Sequence, residues 1–272
     1  MDSHPFDIDT AVRRVGELEF EAEIANDRWW VVRGPNGGFV AAILLRALTE
    51  ALGDPDRPPR SLTVHYPGAP QRGPLAIAVT IERVGRTSAF LSCRATQDGR
   101  VVALALAAFS GPFPGEDFST ARMPQVPPAD QVRGSGPPEG APNFAHNFEF
   151  RFALGPRPFS QGEEALAGGW LRLREPRMLD HLGAATYSDA WIPAIFSRLD
   201  RFAAVPTIDL TVHFREPLPL EGGRPEDFVL GSFQTRVARQ GMLEEDGEIW
   251  SADGRLLVQS RQLAAFIPLP AG

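Results

Sequence analysis

Charged and apolar residues alternate from position 17 to 24, the two-residue period of a half-exposed strand. Arg28-Trp-Trp-Val-Val-Arg33 is dense in β-formers and predicts a second strand, which Gly34-Pro-Asn-Gly-Gly38 interrupts. From Phe39 the period changes. Phe39, Ala42/Ile43, Leu45/Arg46, Leu48/Thr49 and Leu52 fall three to four apart, and Gly53 supplies a stop. This is the pattern of a mostly buried helix. Strands are then expected at about 61–66, 75–84, 88–96 and 101–109, with Asp98-Gly99 as the hairpin turn before the last.

After Gly111 the composition shifts to Pro, Gly, Asp and Ser with little apolar periodicity. Beyond it the first order of elements returns. Strands are predicted over 144–154 and 169–174, then a helix over 178–199 with Leu179, Leu182, Asp189, Ile192/Pro193, Phe196 and Leu199 on one stripe. Four strands follow, at about 207–214, 228–236, 243–250 and 255–267. The chain therefore divides into a unit at 1–114, a Pro/Gly-rich linker at 115–142 and a second unit at 143–272.

The residues themselves repeat. Leu62-Thr-Val-His-Tyr66 returns as Leu210-Thr-Val-His-Phe214, an offset of 148. Asp98-Gly-Arg with Leu106-Ala-Ala-Phe109 returns as Asp253-Gly-Arg with Leu263-Ala-Ala-Phe266, offset by 155 and 157. A period of domain size points to one ancestral domain used twice. One central helix wrapped by an antiparallel sheet is an α+β hot-dog unit, so the expected fold is a double hot-dog. Pairing the two units would cover their open sheet edges, and a homo-oligomer is expected.

Composition narrows the function. The net charge of −7 leaves no basic field for a nucleic-acid backbone, so nucleic acid is not an expected partner. The single cysteine, Cys93, permits no intrachain disulfide and gives no support to a zinc–thiolate site. The first residues lack the basic-then-apolar order of a secretory signal, and the longest apolar run is too short to span a bilayer. The expectation is a cytoplasmic protein with no membrane partner.

Asp189 is the first candidate for chemistry, because a carboxylate on an apolar helical stripe needs hydrogen bonds or a wet cleft. Pro193 should kink or end that helix. The plainer alternative is a helix that stops early and leaves Asp189 in solvent. Thr207 begins a strand whose alternation places it with Asp209, Thr211 and His213, opposite Ile208, Leu210, Val212 and Phe214. Gln262 lies among apolar residues of the last strand, on the face of Val258 and Phe266, where a buried amide needs partners. In the first unit Gln262 corresponds to Ala107 and Thr207 to Pro59, so these polar groups occur in one copy only.

Other features are weaker. His65 and His213 are repeat equivalents, which favours a shared structural role, and no nucleophile motif accompanies His181. Gly37-Gly38 precede a helix, and their N–H groups are candidates to receive a carbonyl oxygen or phosphate. Glu244-Glu-Asp-Gly-Glu248 reads as a solvated hairpin turn, because Asp246-Gly247 is a turn signal.

Tyr187-Ser-Asp-Ala190, Thr207-Ile-Asp209 and Asp253-Gly-Arg-Leu-Leu-Val-Gln-Ser-Arg-Gln262 together resemble the acyl-CoA thioesterase II family of double hot-dog thioesterases. The resemblance implies that Asp189, Thr207 and Gln262 hold and activate an attacking water. It implies an acyl-CoA substrate, hydrolysis to a carboxylic acid and free CoA, and no metal or organic cofactor. Leu210-Thr-Val-His213 departs from the more polar run of the better-known members, and so does the Pro-rich linker. Two other readings remain open on this fold: an enoyl-CoA hydratase or dehydratase using Asp189 with His213, and a non-catalytic acyl-CoA-binding protein.

Overall fold

The principal helix, α2 (Gly37–Leu52), is set at both ends by its own sequence. The Asn36 side chain accepts the Phe39 N–H at 3.0 Å, and Gly53 closes the helix in the left-handed region at φ 62°. The computed structural model describes residues 4–134, 136–137 and 140–268. A short helix α1 (Pro5–Asp9) precedes α2, and α3 (His181–Tyr187) follows it in the second unit.

The first unit supplies β1 (Val12–Arg14), β2 (Glu19–Ile24), β3 (Pro59–His65), β4 (Gly73–Val84), β5 (Ser88–Gln97) and β6 (Arg100–Ser110). The second supplies β7 (Phe148–Leu154), β8 (Ala165–Leu173), the short β9 (Ala203–Ala204), β10 (Thr207–Phe214), β11 (Val229–Thr235), β12 (Ala238–Arg239), β13 (Met242–Ser251), β14 (Leu256–Ala265) and β15 (Ile267–Pro268). Thirteen of these strands form one antiparallel sheet in the order β1-β2-β4-β5-β6-β3-β10-β14-β13-β11-β8-β7, with β12 beside β13. The order reads the same outward from its centre in both units. Every strand between β2 and β8 thus has a repeat partner across the middle, which is the double hot-dog architecture.

At that centre Thr63 lies opposite Thr211, its own counterpart, and their hydroxyl oxygens are 3.0 Å apart. Leu62 pairs with Val212 and Val64 with Leu210, all four buried against the same core as α2. One apolar cluster therefore runs through both units.

Three expectations need correction. Residues 28–33 form no strand; they turn back on themselves through a single Trp30–Pro35 bridge. Their aromatic content serves the core instead. Trp29 stacks on Phe39 at 4.8 Å and donates its indole N–H to Asp9 at 2.8 Å. The second helix is far shorter than its stripe, ending at Tyr187, with a 3₁₀ turn at Ala194–Arg198 after Pro193. The Ser188 hydroxyl donates back to the Ala184 carbonyl at 2.9 Å, and Pro193 has no N–H to continue a helical ladder. The second unit opens with a 3₁₀ turn, Asn143–Asn147, before β7.

The segment between the units also does more than connect them. Ala121, Met123, Val126, Ala129 and Val132 pack on Trp170, Leu230 and Trp250, and Trp170 donates its indole N–H to the Pro127 carbonyl at 2.9 Å. It lies as a strap against strands β8, β11 and β13.

Candidate active site

Asp189 sits in the turn just beyond α3, where helix geometry has already been lost. The side chain is half-buried, and its Oδ2 accepts the Gly38 N–H at 3.0 Å and the Asn36 amide at 2.9 Å. The same Asn36 amide donates to the Asp189 carbonyl at 2.7 Å. The start of the first unit's helix, with its partial positive charge, therefore holds a carboxylate of the second unit. Burial pushes the Asp189 carboxyl up to about 6, although the Gly38 N–H, the Asn36 amide and the Gly37 N–H pull the other way. Close packing enforces the small residues: a Cβ on Gly37 would meet Asp189 Oδ2 at 2.9 Å, and one on Gly38 the Thr186 carbonyl at 2.7 Å. The Gly38 N–H, expected to face a ligand carbonyl, is thus committed to Asp189.

Tyr66 links this helix start to the strand that carries Thr207. Its hydroxyl donates to the Gly37 carbonyl at 2.8 Å, and its N–H donates to the Ile208 carbonyl at 2.9 Å. Burial, reinforced by the charges of Asp189 and Asp209, keeps this phenol protonated.

Thr207 lies on the face opposite to the one its alternation predicts. It pairs with Ala264, whereas Leu210 pairs with Gln262, and the register slips between Thr207 and Asp209. The extra residue of this bulge reverses the side-chain parity. Thr207 consequently joins Leu210, Gln262 and Ala264 on the inner face, while Asp209, Thr211 and His213 remain on the other.

The Thr207 hydroxyl donates to Gln262 Oε1 at 2.9 Å, and Gln262 Nε2 donates to Glu245 Oε1 at 2.9 Å. Glu245 Oε2 in turn accepts the Ala194 N–H at 2.6 Å. The run 244–248 is therefore no hairpin turn. It is the middle of β13, with Glu245 buried at 4% exposure and the turn displaced to Gln240-Gly241. Gly247 is required by packing: a Cβ there would meet the Phe233 ring at 2.8 Å and collide with the Ser260 hydroxyl. Burial pushes the Glu245 carboxyl up to about 7; the Ala194 N–H and the Gln262 amide oppose this, and the negative charges of Asp189 and Glu244 add to it.

The repeat shows what is peculiar to this copy. Ala107 pairs with Leu62 and Leu91, as Gln262 pairs with Leu210 and Glu245. Pro59 pairs with Phe109, as Thr207 pairs with Ala264, and a register slip follows in both units. The strand register is duplicated at these positions. Where the second unit carries Thr207, Glu245 and Gln262, the first carries Pro59, Leu91 and Ala107.

Thr207 and Gln262 are thus in direct contact, and Asp189 reaches them only through the frame of Asn36, Gly38 and Tyr66. Among the described residues it makes no hydrogen bond to either. Sequence reasoning missed Asn36, Tyr66 and Glu245. The histidines stay apart: His213 is exposed on the opposite face, and His181 packs edge-on against Phe214 with its imidazole pushed down to about 4 by burial, Asp180 opposing and Arg60 assisting.

Comparison with known proteins agrees with this organisation. The acyl-CoA thioesterase N-terminal domain matches residues 26–110, and the acyl-CoA thioesterase C-terminal domain matches residues 120–266. An uncharacterised protein of Mycobacterium tuberculosis is 28% identical over 271 residues, covering 90% of each chain. A hot-dog protein of unknown function from Alicyclobacillus acidocaldarius superposes with a TM-score of 0.89 at 27% identity, over 99% of this chain and 100% of its own. A candidate thioesterase II from Thermobifida fusca follows at 0.82 and 25% identity, over 96% and 97%. With both halves matched, and in order, this chain belongs to the hot-dog acyl-CoA thioesterase family.

Proposed function

We propose that this chain hydrolyses an acyl-CoA thioester to a carboxylic acid and free CoA, as a thioesterase of the type II kind. The observation that carries the proposal is the Thr207–Gln262–Glu245 chain, half-buried at Thr207 and buried at Gln262 and Glu245, built in one repeat copy and replaced by apolar residues in the other. Interior polar groups are costly unless something uses them.

In this reading Asp189 removes a proton from a bound water. A carboxyl near 6 suits a base that must be ionised at neutral pH yet accept a proton. The Thr207 hydroxyl proton is committed to Gln262, so its oxygen is left to accept the water's second hydrogen. The water oxygen attacks the thioester carbonyl carbon, the C–S bond breaks, and the proton on Asp189 passes to the departing CoA sulfur. One amide proton of Gln262 faces Glu245; the other has no partner among the described contacts and is the donor offered to the carbonyl oxygen. A donor so placed contributes about 3–4 kcal/mol to the transition state.

Release of free thiol from short-, medium- and long-chain acyl-CoAs tests the proposal, with Asp189→Asn run alongside. Thiol release by the parent, lost in a folded variant, is expected. A parent that consumes crotonyl-CoA absorbance without freeing thiol would replace hydrolysis by hydration.

A further inference from the structure

Glu245 is an unusual residue to keep. Asp7, Glu149 and Asp246 are each held by two arginines, whereas Glu245 has no cationic partner among the described residues. It is nevertheless buried in mid-strand, where the equivalent ladder position of the first unit carries Leu91. Packing alone would be served by leucine, since a buried carboxylate without a cation opposes folding.

We infer that Glu245 is a positioning residue for hydrolysis, fixing the direction in which the Gln262 amide faces and thereby the direction in which the Thr207 hydroxyl points its proton. This rests on the hydrolase reading above. Above about pH 7, where Glu245 is ionised, its two carboxylate oxygens only accept hydrogen bonds, here from Gln262 Nε2 and the Ala194 N–H. Gln262 must therefore turn its NH₂ toward Glu245 and its carbonyl toward Thr207, and Thr207 must donate. The opposite amide orientation sets two acceptors against each other. Glu245 is itself anchored by the Ala194 N–H, at the end of the segment that leaves Asp189. Without Glu245 the amide is free to turn over, the Thr207 proton is released, and the water loses an acceptor.

The test combines kinetics with a direct view of the amide. In Glu245→Leu, kcat for thiol release should fall about 10- to 100-fold, the range for losing a charge-assisted hydrogen bond, with KM nearly unchanged. In a Gln262→Ala background the same substitution should cost nothing further, because the group it acts through is gone. Glu245→Gln, which keeps the shape and one acceptor, should rescue part of the rate and serves as the control for folding. The Gln262 side-chain amide resonances, identified by their loss in Gln262→Ala, should shift and exchange faster in Glu245→Leu. Parent-like kcat, multiplying losses in the double variant, or unmoved amide resonances would overturn the inference. If the parent frees no thiol, the hydrolase reading falls, while the amide resonances still decide whether Glu245 holds Gln262.

Discussion

Asp189 Oδ2 and the Gly38 N–H meet at 3.0 Å across 151 residues of sequence. The acid proposed as base belongs to the second unit, and the groups that hold it, Gly38 and Asn36, belong to the first. Neither unit contains the site alone. Each lends what its own sequence makes well: a capped sixteen-residue helix start from one, and a broken helix from the other.

Asp189→Asn should keep the fold, since an amide oxygen can still accept the Gly38 N–H, but it removes the base. Thiol release should drop about 10²- to 10⁴-fold. A rate within a few-fold of the parent, measured on a variant with unchanged circular dichroism, would take Asp189 out of the chemistry.

Burial raises the carboxyls of Asp189 and Glu245 to about 6 and 7, above their ordinary 3.8 and 4.5. Between roughly pH 4 and 7 these two groups bind more protons in the folded than in the unfolded chain, so their contribution to stability falls as pH rises. His181, pushed down to about 4, acts in the opposite sense over part of that window. Its contribution cancels when parent and variant are compared. Asp189→Asn should therefore gain stability on the parent as pH rises from about 4 to about 6 in urea unfolding, and a constant difference across that window would refute the raised carboxyl. Activity should climb through about pH 6 as Asp189 ionises and further through about pH 7 as Glu245 does.

Thr207→Val keeps the shape and loses both the bond to Gln262 and the oxygen left for water. A fall in kcat of about 10- to 100-fold is expected, with Thr207→Ser retaining most of the rate. Equal activity of Val and Ser variants would leave Thr207 with a packing role only.

Gly38→Ala drives a Cβ to 2.7 Å from the Thr186 carbonyl and 3.0 Å from that of Ala185, wedging α2 from α3. The overpacking should destabilise by about 1–3 kcal/mol, more than alanine returns in helix propensity. Gly37→Ala instead meets the Asp189 carboxylate at 2.9 Å, so it should lower activity more than stability. Denaturant midpoints beside thiol release separate the two, and an unperturbed Gly37→Ala enzyme would show that the carboxylate has room to move.

The fold was legible because its signals are redundant: the repeat, the period of α2 and the Asp98-Gly99 turn each stand alone. The site was legible only in part. Gln262 stood out against apolar neighbours, and the repeat placed Ala107 opposite it. Thr207 was identified by resemblance, but its face was inverted by a bulge at Ile208, a residue that gives no turn signal. Glu245 was hidden by Asp246-Gly247, whose glycine answers the Phe233 ring and not a reversal of the chain. The same comparison that exposed Ala107 pairs Leu91 with Glu245, and it holds the signal that local turn chemistry obscured. Asn36 and Tyr66 act through contacts distant in sequence, which no periodicity encodes.

The Thr63–Thr211 pair marks an axis that the backbone obeys and the chemistry does not. Had both halves kept their polar groups, the chain would bind two acyl thioesters. With Pro59, Leu91 and Ala107 filling the mirror position, a calorimetric titration should saturate at one ligand per chain. Under the hydrolase reading, duplication yields stoichiometric asymmetry: the second half supplies Asp189, Thr207, Glu245 and Gln262, and the first supplies the helix start that holds Asp189 in place.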